Sequence, residues 1–114
     1  MEFEIDEDIW KIILKDKEEM LKKLNENRPE DDLYTYGFGV CIYPNHEIWI
    51  NKDSCKEQQV RTLRHELTHC WIWYSGTYNA PSYTEEMVCD MVANSYNFIN
   101  DIVNRFKEEQ NFIK

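Results

Sequence analysis

The chain lacks any run of apolar residues approaching the roughly 20 that a bilayer-spanning helix needs. Its first residues, MEFEIDEDIW, have neither the basic start nor the apolar stretch of a secretory signal. Positive charge is scarce: 13 Lys and Arg stand against 22 Asp and Glu, a net charge of −9. A field of that sign repels phosphate backbones, so no direct nucleic-acid ligand is expected; it would favour a basic partner or substrate, and its first explanation is the solubility of a small acidic protein. None of the four cysteines, Cys41, Cys55, Cys70 and Cys89, forms a Cys-x-x-Cys pair, which removes the thiolate zinc knuckle. These absences give the expectation of a cytoplasmic protein with reduced thiols and no membrane association, in which Cys70 and Cys89 are small buried hydrophobes. No internal repeat, low-complexity segment or long block of like charge interrupts the sequence. Residues 1–114 are therefore expected to form a single domain.

What is present suffices for one modest core: 42% of residues are apolar and 14% aromatic. Trp10, Ile13, Leu14, Lys17, Leu21 and Leu24 recur at helical spacing and predict an N-terminal helix over 8–25, capped by Asp6 or Asp8. Pro29 lies in the polar break that follows. The segment LYTYGFGVCIY (33–43) is rich in aromatic and β-branched residues, and Gly37 and Gly39 mark a bend or bulge. Pro44-Asn45-His46 has turn chemistry, with His46 read as a solvated turn residue, and 47–50 reads as the return strand. A small antiparallel sheet follows from this hairpin. Asp53 or Ser54 can cap a helix over about 56–74, on which Val60, Leu63, Leu67, Cys70 and Tyr74 form one apolar stripe. After a loop with Gly76 and Pro81, a C-terminal helix spans about 83–108. Its apolar positions include Val88, Val92, Ile99, Ile102, Val103 and Phe106.

Residues 65–69 read His-Glu-Leu-Thr-His. On a helix, positions i and i+4 share a face one turn apart. Two imidazoles placed so can meet one tetrahedral Zn²⁺, and the residue after the first His can reach the attacking water. His65 and His69 are thus the expected zinc ligands, and Glu66 the expected general base. Leu67 falls on the core stripe, which turns the two His towards a cleft. A catalytic zinc needs a third protein ligand and one open position. Ile72 and Ser75 stand where HExxHxxGxxH would require Gly and His, and no His follows His69, so the third ligand is a carboxylate or something less common.

The acids downstream are Glu85, Glu86 and Asp90. Ser82-Tyr83-Thr84-Glu85 fits a capping box with Ser82 as N-cap, which assigns Glu85 to the backbone. Glu86 is the expected third ligand; the alternative is a helix-start acid favoured by the macrodipole. Asp90, one turn on, can accept the second N–H of a ligand His and fix its ring. Tyr78 or Tyr83 could donate to a developing oxyanion, and the sequence does not choose between them.

The stretch TLRHELTHCW, preceded by the strand IWIN and followed by EMVCDMVA, resembles the ImmA/IrrE family of bacterial and phage metallopeptidases. The likeness covers roughly residues 36–98 and includes Glu86, Cys89, Asp90, Val92 and Ala93 of the second motif. It implies a compact zincin-like α+β core, with His65, His69 and Glu86 on zinc and Glu66 catalytic. The implied substrate is a protein, in this family often a DNA-binding repressor of a phage or mobile element. Cys89 stands where the family usually has Ala, and the accessory domains of larger members are not evident. A zinc-containing regulatory or interaction module without turnover is the alternative reading, and a metal-free structural domain is a third.

Overall fold

The computed structural model describes residues 1–75 and 80–112. The expectation of a helix from residue 8 is not met. Strands β1 (Glu2–Ile5) and β2 (Asp8–Lys15) form a hairpin, and helix α1 is confined to Lys17–Leu24. The burial pattern explains the difference. Phe3, Ile5, Trp10 and Ile12 are buried, whereas Glu2, Glu4, Ile9 and Lys11 are exposed, a period of two rather than 3.6. The turn is made by Asp6 and Glu7, both in the left-handed region at φ 52° and 73°, as a two-residue hairpin loop of the primed type requires. Helix α1 is capped not by Asp6 or Asp8 but by Asp16, whose carboxylate accepts from the backbone N–H of Glu19 at 2.9 Å.

The anticipated second hairpin is present, as β3 (Gly39–Ile42) and β4 (Glu47–Asn51) in antiparallel register with Cys41 opposite Ile48. His46 at its turn has φ 55°. Its ring is not merely solvated: it stacks on Trp10, with centroids 5.1 Å apart and planes at 16°. The two hairpins join through a parallel pairing of β2 and β4, in which Ile12 lies opposite Ile48 and Leu14 opposite Ile50. The sheet is therefore mixed, in the order β1-β2-β4-β3, rather than a small antiparallel one. Strand β3 forms one of its edges.

Helices α2 (Lys56–Ser75) and α3 (Glu85–Glu109) complete the fold. Leu63, Leu67 and Cys70 of α2 are fully buried together with Trp10, Ile48 and Ile50 of the sheet, as the stripe predicts. Ile99, Ile102, Val103 and Phe106 of α3 join the same core. The first half of α3 behaves differently: Val88, Cys89 and Val92 are exposed, so neither the apolar role expected of the valines nor the buried role expected of Cys89 is realised. The cap of α3 also differs. Thr84, not Ser82, accepts from the Met87 N–H, at 3.1 Å, so the side chain one turn before Met87 does the capping.

Two polar devices fix α2 at its ends. The buried Asn51 donates from Nδ2 to the Gly37 carbonyl at 2.8 Å and accepts from the Asp53 N–H at 2.9 Å. Asp53 and Ser54, expected as caps, bond elsewhere: the Asp53 carboxylate accepts from the Lys17 N–H, and the Ser54 hydroxyl donates to the Asn51 carbonyl. At the other end, the Trp10 indole donates to the Tyr74 hydroxyl at 2.9 Å, which donates to the Asp8 carboxylate at 2.6 Å. Among the described residues no helix is long and apolar enough to cross a membrane.

Candidate metal centre

The geometry of α2 separates the five motif residues by function. Leu67 is fully buried, Glu66 is 6% exposed, and His65 and His69 are on the exposed side. The two imidazole rings lie 4.9 Å apart between centroids, with planes at 74°. Two imidazoles on one tetrahedral zinc, each bound at about 2.0–2.1 Å, have ring centres on the order of 5 Å apart, a separation like the one observed. Burial, followed by the neighbouring His65, holds the His69 pKa below its usual value. That favours the neutral imidazole a metal requires.

Glu66 forms part of a cleft of about 260 Å³ with Phe38, Gly39, Gln58, Arg61, Thr62 and His65. Burial raises its carboxyl from 4.5 to about 7. Carboxylates are pushed up in this way when desolvation penalises the charged form. Gly39 lines this cleft where β3 approaches α2 closely. A side chain there would run into Thr62 and would stand 2.9 Å from the Trp49 carbonyl oxygen. Asn51 sets the same wall from the other side, since its backbone N–H donates to the Phe38 carbonyl at 2.8 Å. Neither Gly39 nor Asn51 was identifiable as a site residue from the sequence. Gly39 gave only a bend signal, and Asn51 only the last letter of IWIN.

Behind Glu66, the Cys41 and Cys70 sulfurs are 3.6 Å apart. The hydrogen bond with Cys41, followed by burial, pushes the Cys70 thiol well above its ordinary range. Burial and the neighbouring Cys41 raise the Tyr43 phenol likewise. Tyr74 is raised to about 12 by burial and by its bond to Asp8. Its hydroxyl is committed to that bond and to Trp10.

The remaining expected residues lie on α3 or in the segment just before it. Asp90 and Tyr83 line a second hollow, of about 220 Å³, with Trp71, Ser75, Met87, Met91 and Asn94 between α2 and α3. Glu86 is exposed in the first turn of α3. Among the described residues, no three His, Cys, Asp or Glu side chains are grouped to hold a metal ion. The structure thus brings His65, Glu66 and His69 together and does not gather Glu86 with them. Tyr78 lies outside the described residues.

The chain matches no family model, no curated protein and no solved structure. Its likeness to the ImmA/IrrE peptidases therefore rests on the motif residues alone.

Proposed function

We propose that the chain is a zinc-dependent metallopeptidase that hydrolyses a peptide bond of a protein substrate. One observation carries this reading: two imidazoles with ring centres 4.9 Å apart lie beside a carboxyl raised to about 7 in a cleft. His65 and His69 would hold the ion, and Glu86 on α3 is the acid proposed to complete the set. Zinc, when bound, supplies Lewis acidity to the scissile carbonyl and lowers the pKa of a coordinated water.

The chain's own residues account for the rest. A base poised near the working pH is the effective one, because it balances availability against proton-transfer drive. Glu66 takes a proton from the attacking water at its carboxylate and delivers it to the leaving amine nitrogen. The outer edge of β3 offers backbone donors and acceptors to an extended substrate segment laid beside the cleft. Gly39 keeps that edge close to Glu66, and Arg61 supplies a cation within the cleft. A DNA-binding repressor remains the proposed type of substrate on the strength of the motif resemblance.

The second reading is a zinc-holding interaction module without turnover. Glu66→Gln separates the two. A peptidase loses cleavage of a repressor-type substrate and keeps about one zinc per chain by elemental analysis. An interaction module yields no product before or after the change. His65→Ala and His69→Ala should each strip the metal; retention of full zinc by both variants would remove both readings.

A further inference from the structure

Cys41 and Cys70 take no part in the proposed hydrolysis, yet their placement is specific. They are 29 positions apart in sequence, and their sulfurs meet at 3.6 Å across the gap between β3 and α2. Both are free thiols. Cys70 is fully buried, whereas Cys41 sits on the edge strand and is partly exposed. A disulfide has an S–S length of about 2.0 Å, so the sulfurs need to close by about 1.5 Å, a distance within reach of side-chain rotation. Disulfides in reducing compartments are characteristically transient and redox-sensing, the chemistry that a preformed dithiol contact suits.

We propose that Cys41 and Cys70 form a thiol–disulfide site that consumes one hydroperoxide and fastens edge strand β3 to α2. Cys41, the more exposed residue of the two, attacks the terminal oxygen of the hydroperoxide through its sulfur, and its thiol proton leaves on the departing oxygen. The O–O bond breaks, an alcohol or water leaves, and Cys41 becomes a sulfenic acid. Cys70 Sγ then attacks the Cys41 sulfur. The S–O bond breaks, and the hydroxyl departs as water with the Cys70 proton. The two thiols lose two electrons in total, and the peroxide bond gains them. The ring so closed contains β4 and most of α2, including His65, Glu66 and His69, and its cross-link falls one residue beyond His69. Oxidation would therefore fix the distance between the two walls of the cleft, whether or not a metal is bound. A second thiol or a small dithiol reverses it by exchange.

The test uses the full chain with the two exposed cysteines removed, Cys55→Ser with Cys89→Ser. The reduced protein is treated with a few equivalents of hydrogen peroxide and then examined by intact mass, thiol titration and non-reducing peptide mapping. The expected product has lost two hydrogen atoms and both thiols together, and yields one cross-linked peptide pair containing Cys41 and Cys70. Dithiothreitol restores it. Its thermal midpoint rises on oxidation, and this rise is absent when either Cys41→Ser or Cys70→Ala is added. Three results would overturn the proposal: thiols that persist under peroxide, Cys41 gaining two or three oxygens without a cross-link, or a cross-link formed only between chains. If Cys70→Ala fails to fold, Cys41→Ser and the peptide map still decide the matter.

Discussion

Replacing Glu66 by Gln in the metal-free protein should make it more stable at neutral pH, and by an amount that depends on pH. Glu66 is 6% exposed, and burial raises its carboxyl from 4.5 to about 7. The folded value lies above the unfolded one. The stability tied to the protonated acid is therefore fully present below about pH 4.5 and is lost as pH climbs through about 7. Each pH unit between the two values corresponds to about 1.4 kcal/mol, so the whole loss is about 3 kcal/mol. Glutamine keeps the shape and has no such titration. The stability difference between wild type and Glu66→Gln should thus change by about 3 kcal/mol in favour of the variant between about pH 4 and about pH 8. Urea unfolding of chelator-treated protein at several pH values measures it, and taking the difference cancels every other titrating group common to both. A difference that stays flat across this window would refute the argument that Glu66 is desolvated. A difference that moves the other way would mean that an unrecognised cation sits beside it.

Gly39→Ala should cost about 1–3 kcal/mol, since the new methyl meets the Trp49 carbonyl and Thr62, and overpacking of this kind forces strand and helix apart. Adding Thr62→Ser should recover part of that loss in thermal melts, and no recovery would place the strain at the backbone contact instead. Leu67→Ala, in the middle of the motif but fully buried, should lower stability by about 2–5 kcal/mol in denaturant titration while leaving zinc stoichiometry near one per chain below the melting range. Glu86→Ala should weaken zinc binding by about tenfold or more in a competition assay with a chromogenic chelator if that acid completes the site; unchanged affinity would direct the search to another acid.

Sequence reading was most accurate where one periodicity runs long. Helix α2 keeps a 3.6-residue stripe over 20 residues, so Leu63, Leu67 and Cys70 marked the buried face and put His65 and His69 on the other. Strand β2 is ambiguous in sequence because eight residues carry too little pattern. Trp10, Ile13 and Leu14 satisfy a helical spacing, while Trp10 and Ile12 against Ile9 and Lys11 satisfy an alternating one. The β-branched Ile9, Ile12 and Ile13 were the clue to a strand. The Asp6-Glu7 turn gave no help, since it lacks the Asn or Gly that announces a primed turn. The parallel contact of β2 with β4, the meeting of Cys41 with Cys70 and the double use of Asn51 are all non-local, and no window of sequence contains them. At α3, the amphipathic pattern continues past the point where the rest of the molecule supplies a surface to cover it. Val88 and Val92 follow the stripe and stay exposed.

Asn51 has a consequence for how the cleft can breathe. A single amide group grips the Gly37 carbonyl on one flank and the Asp53 N–H on the other. A fluctuation that loosens the aromatic segment around Phe38 therefore also unlatches the lead-in to α2. Width at the cleft and order at the helix start thus share one side chain, on a strand terminus 14 residues before His65. A common exchange rate for the Asn51, Asp53 and Gln59 amides, each bonded at this junction, would be its spectroscopic trace.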